Sequence, residues 1–414
     1  MTNYSKLISV VLGFSFSAVS LQATPLFQVT VRSVGEDPII KTREASSLPD
    51  LLEVFLNQKD EFAIFENEDW VADLTYLGLP EAFQVTADKD GTDVVIESDL
   101  TGLEVDFTGA DRDAVADDVE EWFEDEGAAA VSEVEAEVAK VSALAITDGN
   151  PLATTARLAN RAFRAFGFYN STAAYLGSED GEFAINIGAH FDFSSFSVDA
   201  PSGTADGDQF AITLPFQVDL PWKNIVIKGV GSFEITDMEG TEIYGGGYQV
   251  GVPIEIVEDY KDLGISWTLS PNLGLEGRGA YDVATGGLLV QYGLTSRVDY
   301  VVNEKLVIAS INQLSTYSTI PIIVGDLRLD PDVNQVIFKN GILASYLFYP
   351  AFTVDAFLIN TAFLEDAAVD NYNTLGIDAY LKVTGSFNVS VSLDYTLADD
   401  FDDTRLGFAA SCKF

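Results

Sequence analysis

The chain has almost no cysteine and almost no histidine. Its 414 residues include one cysteine, Cys412, and one histidine, His190. A single cysteine excludes an internal disulfide framework, and one of each excludes a His/Cys metal cluster. Cys412 falls on the apolar parity of a strand pattern and reads as a small hydrophobe. No phosphate loop or dinucleotide fingerprint follows a strand pattern, so no cofactor and no metal is expected. His190-Phe191-Asp192 puts Asp192 on the same strand face as His190, about 7 Å along it. No serine motif accompanies this pair, and the sequence is not read as an enzyme.

Positive charge is scarce. Against 65 Asp and Glu there are 22 Lys and Arg, a formal net charge of −43. Phosphate binding needs a basic surface, so nucleic acid is excluded as a partner. Such acidity suits a protein kept soluble in salt. Long apolar runs are missing too. Residues 1–23 carry Lys6, an apolar stretch over 7–19 and Ser20-Leu21-Gln22-Ala23, which reads as a secretory signal peptide cleaved near Ala23. Beyond it the best candidate span, 351–364, contains Asp355, Asn360 and two threonines. With no transmembrane helix, entry into a membrane must be by strands.

Residues 24–150 read as an acidic α+β region. Phe27, Val29 and Val31 alternate with Gln28 and Thr30 as in a strand. Leu51, Leu52, Val54 and Phe55 have helical spacing. Strand patterns follow over 71–77, 82–86 and 94–97. Asp88-Lys89-Asp90-Gly91 joins the last two; it reads as a tight hairpin turn rather than a calcium loop, since the closing Glu of an EF-hand is missing. Over 101–140, 14 acidic residues face 2 basic ones. There Val115, Val119, Trp122 and Phe123 form one helical stripe, and Val131, Val134, Val138, Val141 and Leu144 a second. These charges read as a solvated face.

Residues 151–168 form a further helix, with Asn150 as its predicted N-cap and Pro151 at the first helical position. Arg157, Arg161 and Arg164 share one face, and Ala159, Ala162, Phe163 and Phe166 another. In so acidic a chain this is the densest positive stripe. It fits a helix inside an acidic barrel lumen, or a surface linker.

From about 169 the pattern becomes long alternating strands. Ile185, Ile187, Ala189, Phe191 and Phe193 alternate with Asn186, Gly188, His190, Asp192 and Ser194. Phe210, Ile212, Leu214, Phe216 and Val218 do the same. Leu375 to Val383 and Phe387 to Leu397 keep one parity across Thr384-Gly385-Ser386, which predicts a three-residue hairpin. The apolar face is long and persistent, the other is small and polar, and acids gather at predicted loops such as Ser178-Glu179-Asp180. This favours a transmembrane barrel over a soluble sandwich. At about 20 residues per strand and loop, the rest of the chain predicts twelve strands, with ten or fourteen as alternatives. Thirteen candidate centres stand out, near 173, 187, 214, 229, 248, 268, 292, 308, 345, 356, 379, 391 and 410, so one is a false or split strand. Residues 316–340 are the least legible, and Gly245-Gly246-Gly247 inside a strand marks a bend, a bulge or a close approach.

The last strand carries Leu406, Phe408, Ala410, Cys412 and Phe414 on one face, with small or polar residues between. With the signal-like N-terminus and the strand pattern over 169–414, it resembles bacterial outer-membrane β-barrel proteins of the porin and autotransporter class. The resemblance implies a mainly β fold, an antiparallel barrel in outer-membrane lipid preceded by the small α+β region. It implies that Phe408 and Phe414 belong to a signal read by the barrel-assembly machinery. The leading expectation is a porin-like channel passing small solutes or ions by diffusion, lined by His190, Asp192, Asp219, Lys228, Asp378, Lys382 and Asp394, with residues 24–150 in the periplasm. The alternative is an autotransporter-like barrel that displays this region outside, with the helix carrying Arg157, Arg161 and Arg164 in its lumen. A closed structural or adhesive barrel is a third reading. The sequence carries no mark of oligomeric state.

Overall fold

A computed structural model describes residues 26–35, 37–45, 65, 68–122, 127–168, 183–220, 225–258, 260, 263–280, 285–324, 327–329 and 333–414. The expected signal peptide, the helix at Leu51–55, Phe123, the strand near 173 and the 178–180 loop lie outside the described residues.

Six strands form an N-terminal antiparallel sheet: β1 (Phe27–Ser33), β2 (Ile40–Ala45), β3 (Trp70–Tyr76), β4 (Leu79–Ala87), β5 (Asp93–Ser98) and β6 (Leu103–Thr108), in the order β2-β1-β3-β4-β5-β6. The β4–β5 turn closes on itself. The Asp88 carboxylate accepts the Thr92 and Asp93 amides at 2.8 and 3.1 Å, and Gly91 takes φ +67°. Helix α1 (Arg112–Trp122) lays Val115, Val119 and Trp122 on Ile96 and Phe107. Helix α2 (Ala128–Val138) buries Val134 and Val138 in the main core of this region.

Helix α3 (Thr154–Ala162) starts later than Asn150-Pro151 predicts. Asn150 Oδ1 does accept the amides of Leu152 and Ala153, at 2.8 and 3.0 Å. Ala153 is nevertheless extended, at ψ 156°, so the capped turn stays separate and Ala153 becomes the N-cap. Beyond Ala162 the helix continues as a wider π-wound segment, Phe163–Phe168.

The rest is a barrel. Its strands are β7 (Ala184–Ala200), β8 (Gly203–Leu220), β9 (Ile225–Met238), β10 (Thr241–Gly251), β11 (Ile254–Val257), β12 (Ile265–Ala280), β13 (Thr285–Asn303), β14 (Leu306–Ile320), β17 (Val336–Tyr349), β18 (Phe352–Phe363), β19 (Asn371–Lys382), β20 (Phe387–Ala398) and β21 (Phe401–Lys413). A small pair, β15 (Ile322–Val324) and β16 (Leu327–Leu329), lies between β14 and β17, which is why 316–340 was hard to read. Every neighbouring pair is antiparallel, β21 pairs with β7 and β10 with β12, so the sheet closes. β11 continues β10 in unchanged register, Gly251 opposite Asn272 and Ile254 opposite Leu269. Pro253 between them has no N–H for the ladder. The closed barrel therefore has twelve staves, the number expected. Twelve of the thirteen centres fall one to a stave. The 384–386 turn has the expected geometry, with the Val383 amide donating to the Phe387 carbonyl at 2.9 Å.

The polarity of the wall is inverted relative to a soluble protein. Ile187, Phe191, Phe193, Leu214, Phe216, Ile377, Leu393 and Phe408 face outward and are exposed, while Asn186, His190, Gln217, Asp378 and Asp394 face inward and are buried. That is the arrangement a bilayer requires: with no water outside, apolar groups face the lipid and the strand ladder closes on itself. Among the described residues no helix is long and apolar enough to cross a membrane.

The staves are longer than the expected ten residues, running from 12 to 19. An apolar band of ~25 Å needs only about 9–11 tilted residues, so the wall projects beyond it. Where it projects, the polarity flips back. One cross-strand row of outward residues reads Leu393, Leu406, Phe193, Phe210, Ile235; the next reads Tyr395, Thr404, Ser195, Asp208, Asp237. Past that row the inward positions become apolar: Phe196, Val198, Ala205, Met238, Ile243 and Phe401.

Candidate functional site: the occupied lumen

The barrel has two rims. The terminal rim carries the start of β7, the chain end and the turn 383–386; the Phe414 amide donates to the Ile185 carbonyl at 2.9 Å. The opposite rim carries the turns 201–202, 239–240 and 399–400 and the loop 364–370. The N-terminal region sits on this opposite rim. Leu26, Phe27, Tyr76, Leu77, Leu144 and Ile146 share one buried core with the inward apolar residues of the projecting wall. Backbone bonds tie the two together: Ser202 N–H to Gly78 O (3.1 Å), Ala368 N–H to Ala139 O (3.1 Å) and Val369 N–H to Gly149 O (3.0 Å).

From there the chain enters the lumen. Asp148 meets Gln335 at the foot of β17 (3.2 Å), and Thr155 donates to the same carboxylate at 2.6 Å. Burial raises the Asp148 carboxyl to about 6, against the lowering effect of its Thr155, Gly149 and Gln335 hydrogen bonds. α3 then runs toward the terminal rim. Phe163 packs with Ile311 and Leu343. Phe168 packs against Phe357 with ring centroids 4.8 Å apart and the rings tilted at 59°. The Phe168 carbonyl reaches Arg297, well down β13 toward Asn303.

The structure places all three arginines of the stripe inside the barrel. Arg157 lies 3.4 Å and Arg161 3.2 Å from the Glu234 carboxylate on β9. Arg161 also contacts Glu276 on β12, and Arg164 pairs with Asp394 on β20. Arg278 of β12 completes the group, its Nε 3.5 Å from Glu234. Taking such charges out of water costs several kcal/mol per ion, so each needs a partner. Glu234 and Glu276 have room because the wall is bare beside them. A Cβ on Gly245 would lie 2.9 Å from the Glu234 Cγ, and one on Gly247 2.9 Å from the Glu276 Cβ. This is the close approach that the 245–247 glycine run left open.

The lining candidates separate. His190 and Asp192 face the lumen near the helix, with Nε2 3.4 Å from Oδ1. Asp219 is buried and accepts the Gln217 carboxamide at 2.7 Å, and Lys228 is buried on the neighbouring strand. Asp378 accepts the Tyr380 hydroxyl at 3.1 Å. Lys382 is exposed, close to the terminal-rim turn, and is not brought to the others. Phe408 faces outward at mid-wall, and Phe414 is exposed at the terminal rim. Sequence reasoning missed the wall residues that meet the helix, among them Glu234, Glu276, Gln249, Gln313 and Arg297. Their signal was inward parity, which the glycines of β10 and β12 obscure.

At the level of the helix, its side chains meet the wall on β9, β12, β17 and β20. Among the described residues, the pocket left beside it, between Arg161, Arg164, His190, Asp192 and Arg405, measures about 50 Å³. At roughly 10–15 Å³ per water centre, that is room for a few waters.

A closed, even-stranded barrel with lipid-type polarity outside and a polar interior is the architecture of outer-membrane β-barrel proteins. No family model and no curated protein matches the chain. Solved structures match its barrel weakly. The translocator domain of autotransporter NalP from Neisseria meningitidis is similar at 10% identity and TM-score 0.43, covering 63% of this chain and 96% of that one. The β domain of the Bordetella autotransporter Brka is similar at 12% identity and TM-score 0.42, covering 56% of this chain and 100% of that one. An outer membrane channel from Pseudomonas putida F1 scores 0.42 at 12% identity, covering 59% and 98%.

Proposed function

We propose that this protein is an outer-membrane anchor that displays its N-terminal region on the cell surface, with the barrel held shut by its own linker helix. The observation that carries the reading is the path of residues 146–168. They descend the lumen from the rim where residues 26–145 sit toward the rim where the barrel strands begin and end. In a Gram-negative outer membrane the terminal rim would face the periplasm, which puts the acidic region outside. A diffusion channel is the less favoured reading, because the helix and its ion pairs occupy the space a solute would cross. No residue is assigned a catalytic role.

Cysteine labelling on intact cells tests this. In a Cys412→Ala background, Lys89→Cys (turn of the N-terminal region) should react with a membrane-impermeant maleimide. Ser386→Cys (terminal-rim turn) should react only after lysis. The reverse pattern would place the N-terminal region in the periplasm and overturn the proposal.

A further inference from the structure

Ion pairs are only part of how the wall meets the linker. Four wall side chains reach past the linker's side chains to its peptide carbonyls. Arg278 donates to the carbonyls of Leu152 and, at 3.5 Å, Ile146. Gln249 donates to Leu158 O at 2.7 Å, and Gln313 to Ala159 O at 3.3 Å. Arg297 donates to Gly167 O and, at 3.3 Å, to Phe168 O. All four donors are nearly fully buried, with at most 4% of their surface exposed.

The carbonyls lie before, within and at the end of the helix, and several are shared: Ile146 O also accepts the Thr154 amide at 3.0 Å, Leu152 O the Arg157 Nε at 2.6 Å and Ala159 O the Phe163 amide. Ile146 and Leu152 precede α3. Leu158 and Ala159 lie within α3. Gly167 and Phe168 are at the end of the π-wound segment, where carbonyls lack partners and the helix dipole is negative. The donors are themselves oriented. Asp299 holds the Arg297 guanidinium at 2.6–3.0 Å through Nε and Nη2. Gln291 accepts from Gln249 at 2.5 Å and donates to Ser315 at 3.1 Å. Thr236 accepts from Arg278 at 3.1 Å.

We propose that the lumen wall is a polypeptide main-chain binding site, in which Arg278, Gln249, Gln313 and Arg297 form a track of donors for peptide carbonyls. Its ligand class is a polypeptide segment, here the protein's own linker. The inference rests on the occupied-lumen reading above.

The test uses the full-length protein in planar bilayers. Gln249→Glu and Gln313→Glu keep the size but set a carboxylate against the carbonyl. Arg297→Met removes the lowest donor; Arg297→Lys keeps the charge but loses the two-point hold by Asp299. Folding of each is checked by its gel shift on heating. The native protein should be silent. The Glu and Met variants should show channel openings at least ten-fold more often, with Arg297→Lys between, and amide exchange over 154–168 should quicken in step. Folded variants as silent and as slowly exchanging as the native protein would overturn the track, leaving the ion pairs as the whole grip. A native protein that conducts steadily would instead overturn the occupied lumen itself, a separate result.

Discussion

Glu234 is the residue on which the lumen charges converge. Its carboxylate is 1% exposed and faces Arg157 at 3.4 Å, Arg161 at 3.2 Å and Arg278 at 3.5 Å. Glu276 is the other wall carboxylate that meets this group. Glu234→Gln keeps the shape and removes the charge, taking from Arg157 and Arg278 the carboxylate they pair with and leaving Arg161 with Glu276. Breaking a buried pair by removing one partner costs about 3–5 kcal/mol. Charged to the linker's hold on the lumen, that is roughly a 150- to 5,000-fold rise in the ratio of open to closed barrels at 1.36 kcal/mol per decade. The assay is single-channel recording of the full-length protein, paired with urea unfolding in detergent. The variant should flicker open where the native protein is silent, or lose the same free energy in the unfolding transition. Adding Arg161→Gln restores the charge balance, so the double variant should be less disturbed than Glu234→Gln alone, a coupling of ~1–3 kcal/mol. A Glu234→Gln protein that is silent and as stable as native, or strict additivity in the double variant, would refute the reasoning.

Three further outcomes are expected. Ile377→Arg, on the lipid face between Leu393 and Ala356, should destabilise the barrel in lipid vesicles by about 2–4 kcal/mol, read by urea titration. Phe196→Ala, in the core shared by the wall and the N-terminal region, should cost about 3–5 kcal/mol and make residues 26–145 more sensitive to added protease, while the membrane-embedded staves stay resistant. Asp148, held at about 6, binds its proton more readily folded than unfolded, where a carboxyl titrates near 3.9. Its contribution therefore favours the folded state below about pH 4 and is lost as pH rises through 6, by at most ~3 kcal/mol. Asp148→Asn should flatten the slope of stability between pH 4 and 6; an unchanged slope would remove Asp148 as its source.

The barrel was legible because its signal is local. Alternation along 375–397 gives both strands, their faces and the turn length before any pairing is known, and the structure adds only the partners. The signal fails where the wall serves the lumen instead of the bilayer. On β10 and β12, glycines at 245, 247 and 274 stand at inward positions because Glu234, Glu276 and Gln249 fill the space in front of them. A missing side chain there carries no parity. The arginine stripe of α3 could be seen, but not what it meets: Arg164 and Asp394 are 230 positions apart and come together only when the barrel closes. The start of α3 was misplaced for the opposite reason. Asn150 is a sound local cap, but the turn it caps is held by the rim, with the Gly149 carbonyl taken by the Val369 amide, and the helix waits until the chain has turned into the lumen.

The flip in wall polarity bears on how the N-terminal region is held. Below the row at Phe193, Phe210 and Leu406, outward apolar residues need lipid; above it, Phe196, Val198, Met238 and Phe401 need something else to cover them. What covers them is the core of the N-terminal region itself, with Phe27, Tyr76 and Leu144. Removing that region would expose an apolar ring inside an aqueous mouth, at ~25 cal/mol for every Å² uncovered. A passenger meant for release would leave such a surface behind. A rim built with an apolar inner face is better suited to a region that stays docked, and the six-stranded sheet is then best seen as a fixed cap on the barrel mouth.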